Sequence, residues 1–425
     1  MRVIVIGAGL AGLTAAWYLR AGGAHVALLE RESGPGLGCS FANAGLQHPS
    51  MAEPWNSPGV LGILLRSLGR PDSQMVVRLG VLPQLVGWGM RFVRESGAQR
   101  FFTNTGKNVR LALYSAGLMQ ELNASTDLYF GAYRCGSLQV FRNARVAAST
   151  LGWVRKLAAF GLEHRWLTVD QLVQEEPALK PIARALVGAL FMPHDVGGDA
   201  YRYCCGMAAQ LQARDVELHY GVSCKPLALN KCGRAEVIDS TGRPWPADVI
   251  VLAAGSYSAA LARRIGIVLP LQPVKGYSIT VPQRLDATTP RIPVIDAMQH
   301  AAAVPLAAGG LRVAGTAEFA GFDRRIDSKR AANIFALCAR LYPEHTRGLA
   351  LAQVAPWAGL RPMCPDGVPL LGATPIPNLY LNTGHGHLGW TLAAGSARLV
   401  ADRVLGRNGD IDLAPYALAR FAGSR

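Results

Sequence analysis

No apolar run in this sequence reaches the ~20 residues needed to cross a bilayer. The opening "MRVIVIGAGLAGL" begins a strand at once, with no basic segment, apolar run and cleavage site in succession. That pattern is not a secretory signal, so a cytoplasmic protein is expected. The eight cysteines include no C-x-x-C pair and no Cys/His ligand spacing. No metal site is expected, and the adjacent Cys204 and Cys205 suit neither an ordinary disulfide nor zinc. Free thiols in a reducing compartment follow. There is no internal repeat and no low-complexity tract, which excludes a solenoid. The net charge is +15, yet no run of five or six basic residues occurs. Without such a run, or aromatics interleaved to stack bases, nucleic acid is not an expected partner. An anionic membrane surface fits the charge better.

What is present is apolar and long. Half of the 425 residues are hydrophobic, which supports two domains with cores of their own. The stretch "VIVIGAGLAGLTAAWYLRAGGAHVALLERE" reads as a strand, a glycine loop, a helix and a second strand. Gly7, Gly9 and Gly12 form G-x-G-x-x-G. Gly7 permits the tight turn, Gly9 lets a pyrophosphate approach the backbone, and Gly12 lets helix and strand pack closely. The helix N-terminus offers N–H donors to phosphate. Glu30 ends the second strand, where a carboxylate accepts from ribose hydroxyls. Val3 in the first strand and Arg31 beside Glu30 complete the expected dinucleotide contacts.

Three further stretches point to a flavin rather than a nicotinamide. "ADVIVLAAGSYS" runs a strand into Ala254 and Gly255, small enough for close approach to a dinucleotide. "GLGCSFANAG" is small and polar and can wrap a flat ring. "NLYLNTGHGHLGWTLAAGSARLVADRV" is a second strand, glycine loop and helix, with Gly384, Gly386 and Gly389 in the loop. A flavin is held along its whole length, and its pyrimidine end gains negative charge on reduction. A helix N-terminus aimed there stabilises that charge. One FAD with two anionic ends explains two glycine loops. His385 and His387 form an H-x-H pair, read as part of a flavin-contacting turn rather than as metal ligands.

With these stretches in place, the chain resembles the bacterial D-amino-acid dehydrogenase small-subunit family. That family lies in the flavoprotein class of glycine oxidase and D-amino-acid oxidase. The matching segments are "GAGLAGLTAAWYL", "SFANAG", "EPWNSPGV", "AAGSYS", "PVKGYSITVP", "GLRPMCPDGVPLLG" and "NLYLNTGHGHLGWTLAAGS". The resemblance implies FAD, with Ser40, Ala42, Asn43, Gly386 and Leu388 around the ring. It implies oxidation of a D-amino acid to a 2-oxo acid and ammonia, with hydride from Cα to flavin N5. Electrons would pass to a quinone or the respiratory chain. It also implies that Arg361 binds the substrate carboxylate. Physically, a dry site needs the two-pronged donor that Arg supplies and Lys does not. Tyr277 and His48 are candidate site residues on a strand and a loop near the flavin. Lys275 is read as structural.

The chain departs from the family at Leu46-Gln47-His48-Pro49-Ser50-Met51 and in "DAMQHAAAV". A substrate other than D-alanine, such as cis-4-hydroxy-D-proline, is an alternative. So are an oxygen-using oxidase and a non-catalytic flavin subunit. The expected fold is α/β: a discontinuous Rossmann-like FAD domain (1–55, 160–270, 350–425) and a mixed α+β substrate domain (56–159, 271–349). Within residues 57–95, Leu61, Leu64, Leu65 and Leu68 recur at helical spacing with Arg66 and Arg70 nearby. This suits peripheral attachment to the inner face of the cytoplasmic membrane.

Overall fold

A computed structural model describes residues 1–67, 75–126, 128–133, 135–282, 284, 286, 289–298, 301–307 and 309–422. Residues 2–29 fold as the sequence dictates: strand Arg2–Ile6, helix Leu10–Ala21, strand His25–Leu29. The first strand is buried on both faces. Val3 and Val5 enter a core built with the helices Leu10–Ala21, Ala98–Ser125, Ala200–Gln212 and Ala393–Val404. Ile4 and Ile6 enter a second core, under a small antiparallel sheet that contributes Val237 and Trp245. A continuous apolar run is what a central parallel strand requires.

Six strands form this sheet, in the order Leu370–Ala373, Leu379–Thr383, Val249–Leu252, Arg2–Ile6, His25–Leu29, Glu217–His219. All neighbours are parallel except the Leu370–Ala373 edge. The α/β, Rossmann-like expectation holds. Among the described residues a larger, nine-stranded mixed sheet stands beside it. Next to one edge, Gln272–Val281 pairs antiparallel with both the edge strand Ala355–Met363 and Leu311–Phe319. Helix Ser328–Leu341 covers one face, sealing Tyr277, Ile279 and Val313 with Ile334 and Leu341.

Strand pairing departs from the expected division of the chain. Arg165–Leu167, Gly188–Met192 and Ala355–Met363, expected on the FAD side, join the larger sheet. Buried strands of both sheets carry the same apolar signal, so the sequence alone does not distinguish them.

The glycines of the first loop are fixed by contact. Gly7 has φ 111°, and a Cβ there would lie 2.6 Å from the Ala253 carbonyl oxygen. At Gly12 a Cβ would fall 1.8 Å from the Gly7 carbonyl oxygen, against backbone that cannot yield. Gly12→Ala should therefore destabilise the protein by about 1–3 kcal/mol or more and lower Tm, with loss of bound flavin. A Gly12→Ala protein that melted with the wild type and kept its flavin would contradict this packing.

Candidate active site

The carboxyl ends of the parallel strands open into one cavity of about 1160 Å³. Ligands of open α/β sheets bind at such a place. Ile6, Leu29 and Thr383 lead into lining loops that carry Gly7, Gly9, Glu30, Arg31, Gly386, His387 and Gly389, and Leu252 leads to Ala254 and Gly255. From the other side the larger sheet contributes Gly276, Ser278, Thr316 and Arg361.

At the nucleotide end, the Glu30 carboxylate accepts from the Ala8 N–H at 2.7 Å and the Glu32 N–H at 2.9 Å. It fastens the end of the second strand to the glycine loop. Arg31 lies 3.7 Å over the Tyr257 ring. Ser40 Oγ accepts from the Leu10 N–H at 3.3 Å, joining the 36–45 loop to the first helix. The larger sheet holds that loop from below. Ser278 Oγ donates to the Ala42 carbonyl at 2.6 Å, and Arg312 donates to the Asn43 carbonyl at 3.1 Å.

The second glycine loop presses on the strand that carries Arg361. Gly384 has φ 80° and Gly386 φ 57°, conformations that favour glycine. A Cβ on either would lie 2.7 Å from Cys364 Sγ or Met363 Sδ respectively. His385 makes a β-bridge to Met363. The helix expected directly after this loop begins only at Ala393. Residues Gly386–Leu388 form a 3-10 turn first.

Arg361 donates to the Thr316 carbonyl at 3.1 Å and lies 5.2 Å from the Trp55 ring. A Cβ at Gly276 would lie 2.0 Å from its Nη1, so only glycine leaves room for the guanidinium. Burial lowers its pKa, although an Arg stays charged. Among the described residues, no carboxylate lies within ion-pair distance of Arg361. Beside it, Trp55, His387 and His48 stack in a column, with ring centroids 5.1 and 6.2 Å apart. Burial lowers the His48 and His385 pKa values to about 4 and that of His387 to about 3. All three are neutral in the physiological range.

Several expected residues sit elsewhere. Val3 is fully buried between its neighbouring strands and does not reach the cavity. Leu388 is fully buried in the helix-side core. Gly12 and Gly384 serve packing rather than lining. The Tyr277 hydroxyl turns away from the flavin loop and donates to Glu318 at 2.6 Å. Along Gln272–Val281 the faces alternate without a break, as the continuous pairing with Ala355–Met363 shows, so Lys275, Tyr277 and Ile279 share one face. It is the neighbouring strand Leu311–Phe319 that bulges at Thr316, φ 61°: Lys275 pairs with Glu318 but Tyr277 with Gly315. Gly276 and Ser278 face the cavity, which Tyr277 also borders, while Lys275 and the Tyr277 hydroxyl share the buried Glu318. Sequence reasoning missed Thr316, Trp55 and Glu53. Gly276 was legible, since a lone glycine inside a strand marks a close approach.

The walls suit a dinucleotide. Buried polar atoms without a partner cluster among the lining residues: His48 Nδ1, Thr316 Oγ1, Asn382 Oδ1, His385 Nε2 and Trp390 Nε1. Unpaired buried polar groups are costly, so such a cluster fits a polar ligand. Among the described residues no group of three or more His, Cys, Asp or Glu could hold a metal.

The chain is similar to known proteins along nearly its whole length. The family described as FAD dependent oxidoreductase (DAO) matches residues 2–403. A D-amino acid dehydrogenase of Paramagnetospirillum magneticum is 39% identical over 422 residues, covering 99% of each chain. Glycine oxidase from Geobacillus kaustophilus shares the fold with a TM-score of 0.74 at 24% identity, covering 99% of each chain. L-proline dehydrogenase from P. horikoshii does so with a TM-score of 0.74 at 18% identity, covering 99% of this chain and 97% of the other. The fold alone therefore does not fix the substrate or its handedness. The sequence match over nearly the whole chain assigns this protein to the DAO family of FAD-dependent oxidoreductases.

Proposed function

We propose that the chain is a D-amino acid dehydrogenase. It oxidises the Cα–N bond of a D-amino acid to an imino acid, which water converts to a 2-oxo acid and ammonia. Electrons then pass to a membrane quinone. The observation that carries the reading is Arg361: a guanidinium without a carboxylate partner among the described residues, on the cavity wall beside the second glycine loop. A buried cation without a countercharge suits an anionic ligand, and a bidentate donor suits a carboxylate.

When bound, FAD supplies the electron sink that takes the Cα hydride. Gly7, Gly9, Glu30, Arg31, Ser40, Ala42, Asn43, Ala254, Gly255, Gly386, His387 and Gly389 would hold it. The chain's own part is positioning. Arg361 fixes the substrate carboxylate, and its bond to the Thr316 carbonyl fixes Arg361. The substrate amine must be neutral when hydride leaves. His48 and His387, both neutral, add no charge that opposes an incoming ammonium.

For membrane attachment we propose a different apolar face from the expected one. In helix Leu82–Arg94, Leu85, Trp88 and Phe92 are buried. On the opposite side Leu82, Val86 and Met90 are 41%, 57% and 66% exposed, and Leu79 just before the helix is 75% exposed. This stripe lies beside Arg91 and Arg94 and suits an anionic interface. In helix Val60–Ser67, Leu61 is exposed and Leu64 packs inward. The Leu65 and Arg66 side chains, Leu68 and Arg70 lie outside the described residues. No helix among the described residues is long and apolar enough to cross a membrane.

Two measurements test these readings. With a dye acceptor, Arg361→Ala should keep its flavin but lose kcat/KM by tens- to thousands-fold, roughly 2–5 kcal/mol. Arg361→Lys should recover little, because the fork is gone. Near-normal turnover in the alanine variant would remove Arg361 from the carboxylate site. In sedimentation, the protein should follow anionic but not neutral liposomes, with partial release by high salt. The Val86→Glu/Met90→Glu variant should stay in the supernatant. Wild-type protein that ignores both liposomes would rule out attachment through this stripe.

A further inference from the structure

Most charged groups of the cavity are held by an opposite charge or by backbone, and two are left over. Lining cations are Arg31, Arg324 and Arg361, and lining carboxylates are Glu30, Glu32 and Glu53. Arg31 and Arg324 both pair with Glu32 at 3.2 Å. Glu30 is held by two backbone N–H groups at the nucleotide end. Among the described residues, neither Arg361 nor Glu53 has an opposite charge within ion-pair distance. One cation and one carboxylate therefore remain for a ligand that carries both signs.

Glu53 is built into the wall. It lies on the loop between His48 and Trp55, two residues before the ring that sits beside the Arg361 guanidinium. Trp153 Nε1, from helix Ala144–Leu157, donates to Glu53 Oε1 at 2.7 Å. The loop is latched nearby: the fully buried Asp195 accepts from Ser50 Oγ and Ser137 Oγ, each at 2.6 Å. The same part of the wall includes Phe101, Gln139, Thr150 and Val154. Aliphatic and aromatic surface can take the stem of a long side chain while the carboxylate and the Gln139 amide take its polar end. Burial raises the Glu53 pKa, the response of a carboxyl that lacks a countercharge.

We propose that Glu53 recognises a cationic substrate side chain, so that the enzyme prefers D-amino acids of the lysine, ornithine or arginine class. The inference rests on the D-amino acid reaction proposed above and names its substrate class. Arg361 takes the α-carboxylate, and Glu53 takes the positive charge at the far end of the side chain. The α-amine is the other cation Glu53 could meet. A carboxylate there would hold that amine protonated, and a protonated amine opposes loss of hydride.

The test is kcat/KM for D-lysine and D-norleucine, which differ mainly in the terminal ammonium, with D-alanine as a third substrate. The holoenzyme is assayed with a dye acceptor. Wild type should favour D-lysine over D-norleucine by on the order of tenfold or more. Glu53→Gln, which can still accept from Trp153, should reduce that ratio by a similar factor. A wild-type preference for D-norleucine overturns the proposal, and this outcome needs no variant to fold. A Glu53→Gln ratio equal to wild type, with all three substrates slowed alike, also overturns it and assigns Glu53 to the α-amine. Turnover of D-alanine in either case leaves the D-amino acid reading standing. No turnover of any D-amino acid by yellow, folded protein overturns both.

Discussion

The site depends on one close contact: the second glycine loop lying against the strand of Arg361. Gly384 and Gly386 meet Cys364 and Met363 at distances that exclude a side chain. That contact joins two sheets that otherwise have separate cores. The smaller sheet brings the two loops suited to a dinucleotide, and the larger sheet brings the guanidinium suited to a carboxylate. If the loop stood off by a few ångströms, the two halves of the cavity would still exist, but without a shared geometry for transfer between them. The same economy of space recurs at Gly276, whose missing side chain is the volume Arg361 occupies.

Around that contact the electrostatics are sparse. Three histidines near the site are kept neutral by burial, so they shape the wall without charging it. Charge is confined to a few groups, most of them paired or held by backbone. The surface carries the basic excess of the chain, and an exposed apolar stripe on helix Leu82–Arg94 stands next to arginines. A basic exterior and a nearly neutral interior suit an enzyme that binds a small zwitterion.

Much of this was legible in the sequence. The first glycine loop and its strands follow from spacing, and the second loop announced a ligand held at both ends. Arg361 stood out by its apolar setting in "WAGLRPM". Other features were hidden for physical reasons. The direction of the Tyr277 hydroxyl was hidden because alternation says which residues share a face, not which face meets the cavity: Tyr277 borders it, but the hydroxyl turns to Glu318 and the open face belongs to Gly276 and Ser278. The strands Arg165–Leu167 and Gly188–Met192 joined the larger sheet because apolar pattern says that a strand is buried, not beside what. The leucines at 61 and 64 gave a clear helical period. The exposed face lay one helix later, where Leu85, Trp88 and Phe92 turn inward and leave Leu82, Val86 and Met90 outside. Glu53 and Trp55 stood inside a matching segment. Only the fold shows that they share a wall with Arg361.

The most direct test of the central claim, that this cavity joins a flavin to a D-amino acid, is anaerobic mixing of the purified yellow protein with a substrate and its enantiomer. The D-enantiomers should bleach the flavin absorbance within the time of a turnover, and the L-enantiomers should leave it oxidised. Bleaching by both hands alike, or by neither across D-amino acids of varied side chain, would contradict the account.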